Sequence, residues 1–120
     1  MTLASETRAE RDLRRLRTMY RALGDETRLR VISLLAEFGP MPVNELSARV
    51  SLSQPLISWH LRILRKAQVI RTRRDGREVF CRLDREAIAT HFKSFARLIA
   101  VAGVPAELTT STTPVHEGAS

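Results

Sequence analysis

The sequence of 120 residues is poor in cysteine and aromatic side chains: Cys81 is its one cysteine, and Phe, Trp and Tyr make up 5% of the chain. A single cysteine excludes an internal disulfide framework and is typical of a reducing compartment. Apolar runs of the roughly 20 residues that a membrane span needs are missing. The opening segment MTLASETRAERDLRRLR also lacks the apolar core of a secretory signal. We therefore expect a cytoplasmic protein that does not enter a membrane.

Sequence patterns that carry catalysis are missing as well. We find no paired carboxylates spaced for acid–base work, no nucleophile with a matching base, and no glycine-rich phosphate loop. The five glycines stand alone in predicted turns or in the C-terminal tail. We therefore expect that the protein is not an enzyme.

Basic residues are abundant by contrast, and they are concentrated in one part of the chain. Lys and Arg number 20 against 13 Asp and Glu, which gives a net charge of +7, and all but two of the basic residues are arginine. Residues 54–82 hold eight basic and two acidic residues. Such a patch indicates a polyanionic partner, most often nucleic acid, although charge alone equally fits a merely solvated basic surface.

The hydrophobic spacing predicts a mostly α-helical fold with one small β-hairpin. Apolar residues recur at helical spacing in five segments: residues 7–22, 26–38, 45–50, 53–67 and 84–101. We expect GPMP at 39–42 to form a turn, and we expect the last four helices to be capped in order by Asp25, Asn44, Ser53 and Asp84. Between the last two helices the period changes to two. Asp75-Gly76 separates two alternating segments there, which predicts a hairpin over residues 69–83.

The order of these elements predicts a winged helix-turn-helix. The tripeptide SLS at 51–53 joins two short helices, and the basic hairpin that follows supplies the wing. In the second helix we expect Leu29, Ile32, Leu35 and Phe38 to face the core. We divide the chain into an N-terminal extension at 1–12, the winged domain at 13–102 and a disordered tail at 103–120, which is rich in Thr, Ser and Pro.

The helix at 53–67 contains the only tryptophan of the chain, and its pattern places that residue away from the core. At 100° per residue, Ile57, Leu61 and Leu64 form one buried stripe, and Trp59 lies on the opposite side. Polar and basic side chains share that outer side, as expected of a helix that reads a DNA groove. The indole can contact a base, a sugar or only its own domain.

The predicted DNA-contacting residues lie on this helix and on the wing. His60, at the edge of the outer face, is either structural or DNA-facing. The helix contributes Ser53, Gln54, Pro55, Ser58, Trp59, His60, Arg62 and Lys66, and the wing contributes Arg71, Arg73, Arg74 and Arg77.

Three segments resemble the ArsR/SmtB family of bacterial winged-helix transcriptional regulators: ALGDETRLRVISLL at 22–35, VNELSARVSLSQPLISWHLRILRKAQVI at 43–70 and RRDGREVFCRL at 73–83. The resemblance implies a homodimer that binds double-stranded DNA at an inverted-repeat operator and represses transcription. It also implies that the first and last helices form the dimer interface. The corresponding apolar residues are Leu13, Leu16, Tyr20, Phe92, Phe95 and Ile99. A winged-helix module that binds RNA or a protein partner is the alternative.

Many members of that family sense metals, but the residues of their two common sites are not matched here. One site uses cysteines in the helix before the recognition helix, and VNELSARV has none. The other uses an Asp and two His along the last helix. Asp84 is present, but Glu86 replaces the first His and no second His follows at the expected spacing. We therefore predict no metal site and no cofactor. The effector stays open between a small molecule, a redox signal through Cys81 and none.

Overall fold

A computed structural model describes residues 5–100 of the chain. Its elements, in chain order, are α1 (Arg8–Leu23), α2 (Glu26–Phe38), β1 (Met41–Pro42), α3 (Val43–Val50), α4 (Gln54–Lys66), β2 (Ile70–Asp75), β3 (Glu78–Leu83) and α5 (Arg85–Ile99). The predicted fold class is confirmed: five helices accompany a small antiparallel sheet. The predicted tail at 103–120 lies outside the described residues.

The sheet has three strands rather than the two of the predicted hairpin. β2 and β3 pair antiparallel from Ile70 opposite Leu83 to Asp75 opposite Glu78, and Gly76 adopts φ 66° in the two-residue turn. β1 adds a short third strand, with Met41 opposite Cys81 and Pro42 opposite Phe80. The segment at 39–42, which we expected to be a turn, therefore ties the start of α3 to the wing.

Polar caps begin most of the helices at the predicted places. Asp25, Ser53 and Asp84 each accept a hydrogen bond from a backbone N–H in the first turn of α2, α4 and α5. These bonds are the main reason why the pKa values of the Asp25 and Asp84 carboxyls lie below their usual range. Asn44 does not cap α3, because that helix begins at Val43, two residues before the predicted start, with Pro42 as its N-cap.

The first helix extends into the segment that we assigned to an N-terminal extension. Thr7 and Glu10 form a reciprocal capping box, in which each side chain accepts a hydrogen bond from the other residue's backbone N–H. Residues 8–12 are therefore the opening turns of α1.

One hydrophobic core connects the helices with the inner face of the sheet. Its side chains are Met19, Ala22, Val31, Leu35, Met41, Leu46, Val50, Ile57, Leu61, Leu64, Ala67, Val69, Ile70 and Cys81. The inner side of α2 is occupied by Val31 and Leu35, whereas Leu29 and Phe38 are exposed, so our expectation for those two residues was wrong. Within residues 5–100, none of the helices is long and apolar enough to cross a membrane.

Candidate nucleic-acid interface

A tight turn orients α4 against α3. Ser51 ends α3 in the left-handed conformation, at φ 59°, and the hydroxyl of Ser47 donates a hydrogen bond to the carbonyl of Leu52. Ser53 then caps α4, and Pro55 occupies its first turn, where a missing N–H costs little. The turn and these caps thereby orient α4 relative to α3.

The two sides of α4 divide as the helical pattern predicts. Ile57, Leu61 and Leu64 are buried against the core. The residues predicted to contact DNA from this helix are exposed with one exception: Ser53, Gln54, Pro55, Ser58, Trp59, Arg62 and Lys66 all reach solvent. These seven residues form what we call the reader face.

His60 is the exception, because its side chain is buried inside the protomer. Its Nδ1 lies 3.1 Å from a guanidinium nitrogen of Arg28 and 3.8 Å from a carboxylate oxygen of Asp25. The His60 ring also packs edge-on against Trp59, with 4.9 Å between ring centroids. Of the two roles that we left open for His60, the structure favours the structural one, and we remove it from the proposed DNA contacts.

Arg28 is a residue that the sequence analysis missed. It is 8% exposed, and its Nε donates a hydrogen bond of 2.7 Å to the carbonyl of Ala22, at the end of α1. Its guanidinium carbon lies 5.9 Å from the centre of the Trp59 ring. An arginine in a basic chain gives no sign in the sequence that it will be buried. The burial of Arg28 becomes understandable only from its hydrogen bond with His60, which lies 32 positions away in the chain.

All four predicted wing arginines are exposed. Arg71 donates a 3.0 Å hydrogen bond to Asp84, which anchors the base of the wing to the start of α5. Arg73 lies 3.7 Å from the Asp75 carboxylate and above the Phe80 ring. Arg74 and Arg77 form no ion pair within the described part of the chain. The tip of the wing therefore carries the charge that is most available to a phosphate.

The wing and the reader face enclose a common groove. Its volume is about 440 Å³, and Gln54, Ser58, Arg62 and Arg77 are among the residues that line it. Arg62 of α4 and Arg77 of the wing contribute positive charge to the groove, and Gln54 and Ser58 add hydrogen-bonding groups. Such a combination suits contact with phosphates and base edges together.

A second exposed surface is apolar and lies on α1 and α5. Of the residues predicted for a dimer interface, Leu13, Tyr20, Phe92, Phe95 and Ile99 are exposed, and Leu98 joins them. Tyr20 and Phe95 connect the two helices in an edge-on contact of 5.6 Å. Leu16 does not belong to this surface, because it is 4% exposed and packs inside the protomer. We call the six exposed residues the apolar face.

Residues 5–100 contain no group of three or more His, Cys, Asp or Glu side chains placed to hold a metal ion. His91 is buried on the inner side of α5, and its Nε2 has no hydrogen-bond partner among the described residues. The predicted absence of a metal site remains a prediction.

Cys81 is buried in β3, and burial raises the pKa of its thiol to about 11. The thiolate is the reactive form of cysteine, and at this pKa very little thiolate exists at neutral pH.

We expect native Cys81 to react with iodoacetamide at pH 8 at least roughly tenfold more slowly than in the urea-unfolded chain. Mass spectrometry at timed intervals checks this rate. Equal rates in the two states would restore Cys81 as a candidate redox sensor.

The capped α4 that follows a tight turn, its exposed reader face and the basic wing define a winged helix-turn-helix domain. A family model described as "Bacterial regulatory protein, arsR family" matches residues 25–72. The regulator KmtR of Mycobacterium tuberculosis is 44% identical over 70 residues, which are 58% of this chain and 53% of that protein. The arsenical resistance operon repressor of Escherichia coli is 40% identical over 65 residues, 54% of this chain and 56% of the repressor.

A solved structure extends the similarity beyond the matched segment. HlyU of Vibrio cholerae is 31% identical to this chain and has a TM-score of 0.60, with 75% of this chain and 97% of that chain covered. HlyU is described as a transcriptional activator. This chain belongs to the arsR family of bacterial regulatory proteins, which confirms the predicted family. It matches little more than half the length of KmtR and of the E. coli repressor.

Proposed function

We propose that this protein is a cytoplasmic DNA-binding transcriptional regulator, and that it acts as a repressor. The observation that carries the proposal is the groove between α4 and the wing, which is lined by exposed Arg62, Arg77, Gln54 and Ser58. α4 enters the major groove, and its exposed side chains read base edges. Arg73, Arg74 and Arg77 on the wing bind backbone phosphates.

The operator is an inverted repeat in this proposal, because the regulator binds as a homodimer. The apolar face supports a homodimer: it places six large hydrophobic side chains in solvent on two neighbouring helices, which is unusual for a monomeric surface. Two reader faces related by a two-fold axis require two half-sites in opposite orientation. We propose no metal or cofactor, and we assign no effector.

Selection from a random duplex library, followed by titration of the selected operator, tests this function. We expect Arg62→Ala to weaken binding to the operator by about 1–3 kcal/mol, and binding to a scrambled duplex much less, because Arg62 reads a base. Arg74→Ala should weaken binding to both duplexes alike and reduce the dependence on salt, because Arg74 contacts phosphate.

Arg30→Ala is the matched control, since Arg30 is also exposed but lies on α2 in an ion pair with Glu26. It should leave both affinities nearly unchanged. A selection that yields no preferred duplex, or tighter binding to an RNA of the same sequence in direct competition, would disprove the operator model.

A further inference from the structure

The exposed indole of Trp59 contacts a buried side chain of another helix, Arg28 of α2. Arg28 of α2 donates from Nε to the Ala22 carbonyl at 2.7 Å and from a terminal nitrogen to His60 Nδ1 at 3.1 Å. A guanidinium has donors only, so Nδ1 must accept, and the His60 ring carries its proton on Nε2. The direction of the His60 ring is therefore set by Arg28.

Both groups of this pair then contact Trp59. The Arg28 guanidinium carbon is 5.9 Å from the Trp59 ring centre, within the range of a cation–π interaction. The His60 ring meets the indole edge-on at 4.9 Å and an interplanar angle of 67°. Trp59 is 47% exposed, so one side of the indole faces solvent and the other side rests on these two groups.

The pair is anchored at the junction of α1 and α2. Asp25, the N-cap of α2, accepts a 3.0 Å hydrogen bond from the backbone N–H of Arg28. Ala22, which accepts from Arg28, is in the last turn of α1. The support under Trp59 is consequently built from three helices and does not depend on α4 alone.

We propose that Arg28 is a positioning residue that fixes, through His60 and directly, the direction in which Trp59 is presented to DNA, and so contributes to the choice of operator. The inference rests on the proposed function. An exposed indole without this support would occupy several rotamers, and ordering it on DNA would cost binding free energy. Support in the free protein removes that cost and restricts which base or sugar the ring can reach.

The first test measures Trp59 in the absence of DNA, because it is the only tryptophan of the chain and thus the only source of indole fluorescence. Arg28→Lys keeps the charge but cannot make both hydrogen bonds. His60→Leu removes the acceptor, whereas His60→Asn retains an oxygen close to the position of Nδ1. We expect faster indole motion, seen as lower time-resolved anisotropy, in Arg28→Lys and His60→Leu. His60→Asn should give an intermediate anisotropy, because it keeps the acceptor for Arg28 but loses the ring that contacts Trp59.

The second test measures specificity as the ratio of affinities for the selected operator and for a scrambled duplex. We expect this ratio to fall roughly 5- to 10-fold in Arg28→Lys and His60→Leu, comparable with the loss of one base contact. In a Trp59→Ala background the same substitutions should change the ratio less than twofold, since their effect passes through the indole. Arg49→Lys is the matched control, because Arg49 makes the same kind of contact with Phe38, at 4.6 Å. It should alter neither readout.

The outcomes separate this proposal from the proposed function. Failure of the unsubstituted protein to prefer any duplex would overturn both the function and the role of Arg28 in specificity. Folded variants with unchanged anisotropy would overturn the positioning of Trp59 alone. If the ratio of operator to scrambled-duplex affinity still falls in the Trp59→Ala background, Arg28 acts on DNA binding by another route. That result would also overturn the positioning of Trp59 by Arg28. If Arg28→Lys does not fold, the two His60 variants decide the outcome.

Discussion

Replacing Leu64 by alanine is expected to lower the free energy of unfolding by about 2–5 kcal/mol, the largest stability effect that we predict. Leu64 is completely buried on the inner side of α4, between the helices and the sheet. The substitution removes its apolar surface and leaves a cavity that neighbouring elements cannot close without moving α4. Urea unfolding followed by circular dichroism, at one fixed protein concentration, measures the change.

Leu56→Ala is the matched control for this measurement, because Leu56 stands on the same helix but is 44% exposed. Its loss should cost less than about 1 kcal/mol. If the two variants lost equal stability, the inward and outward sides of α4 would be assigned wrongly, and the reader face would have to be redrawn.

Replacing Phe92 by glutamate is expected to prevent dimerisation and thereby weaken operator binding roughly 10²- to 10⁴-fold. Phe92 is the most exposed aromatic side chain of the apolar face, at 53%. A carboxylate there would be buried without a partner at a two-fold interface, which is costly. Sedimentation should give the 13.6 kDa mass of one chain instead of twice that mass.

Thr90→Glu adds the same charge on the opposite side of α5 and serves as the control. Thr90 is exposed, so its variant should remain dimeric and bind the operator normally. A Phe92→Glu protein that still sediments as a dimer would show that the dimer forms through another surface.

The order of helices and wing was predictable from sequence because each element has a strong local signal. Asp25, Ser53 and Asp84 cap helices where expected, and the two stripes of α4 separate cleanly. β1 was missed because two residues, one of them proline, have no periodicity, and they form a strand only by pairing with β3. Such pairing depends on a partner that is about forty positions away in the chain.

The errors of detail arise where several sides of a helix are apolar or where a charge is buried. α2 carries apolar residues around most of its circumference, so its inner side is chosen by packing on Val31 and not by pattern. Leu16 fits the stripe of α1 equally well but lies on its inner edge. His60 and Arg28 are polar residues whose burial becomes favourable only because each satisfies the other.

Pro42 has a consequence for how the domain approaches a duplex. It is the last residue of β1, opposite Phe80 of the wing, and at the same time the N-cap of α3. β1 is paired with β3 of the wing and continues without a linker into α3, the helix that packs against α4. We expect this connection to fix the distance between α4 and the wing already in the free protein. A residue inserted after Pro42 would change the distance between α4 and the wing. It would thereby change which flanking phosphates the wing can reach.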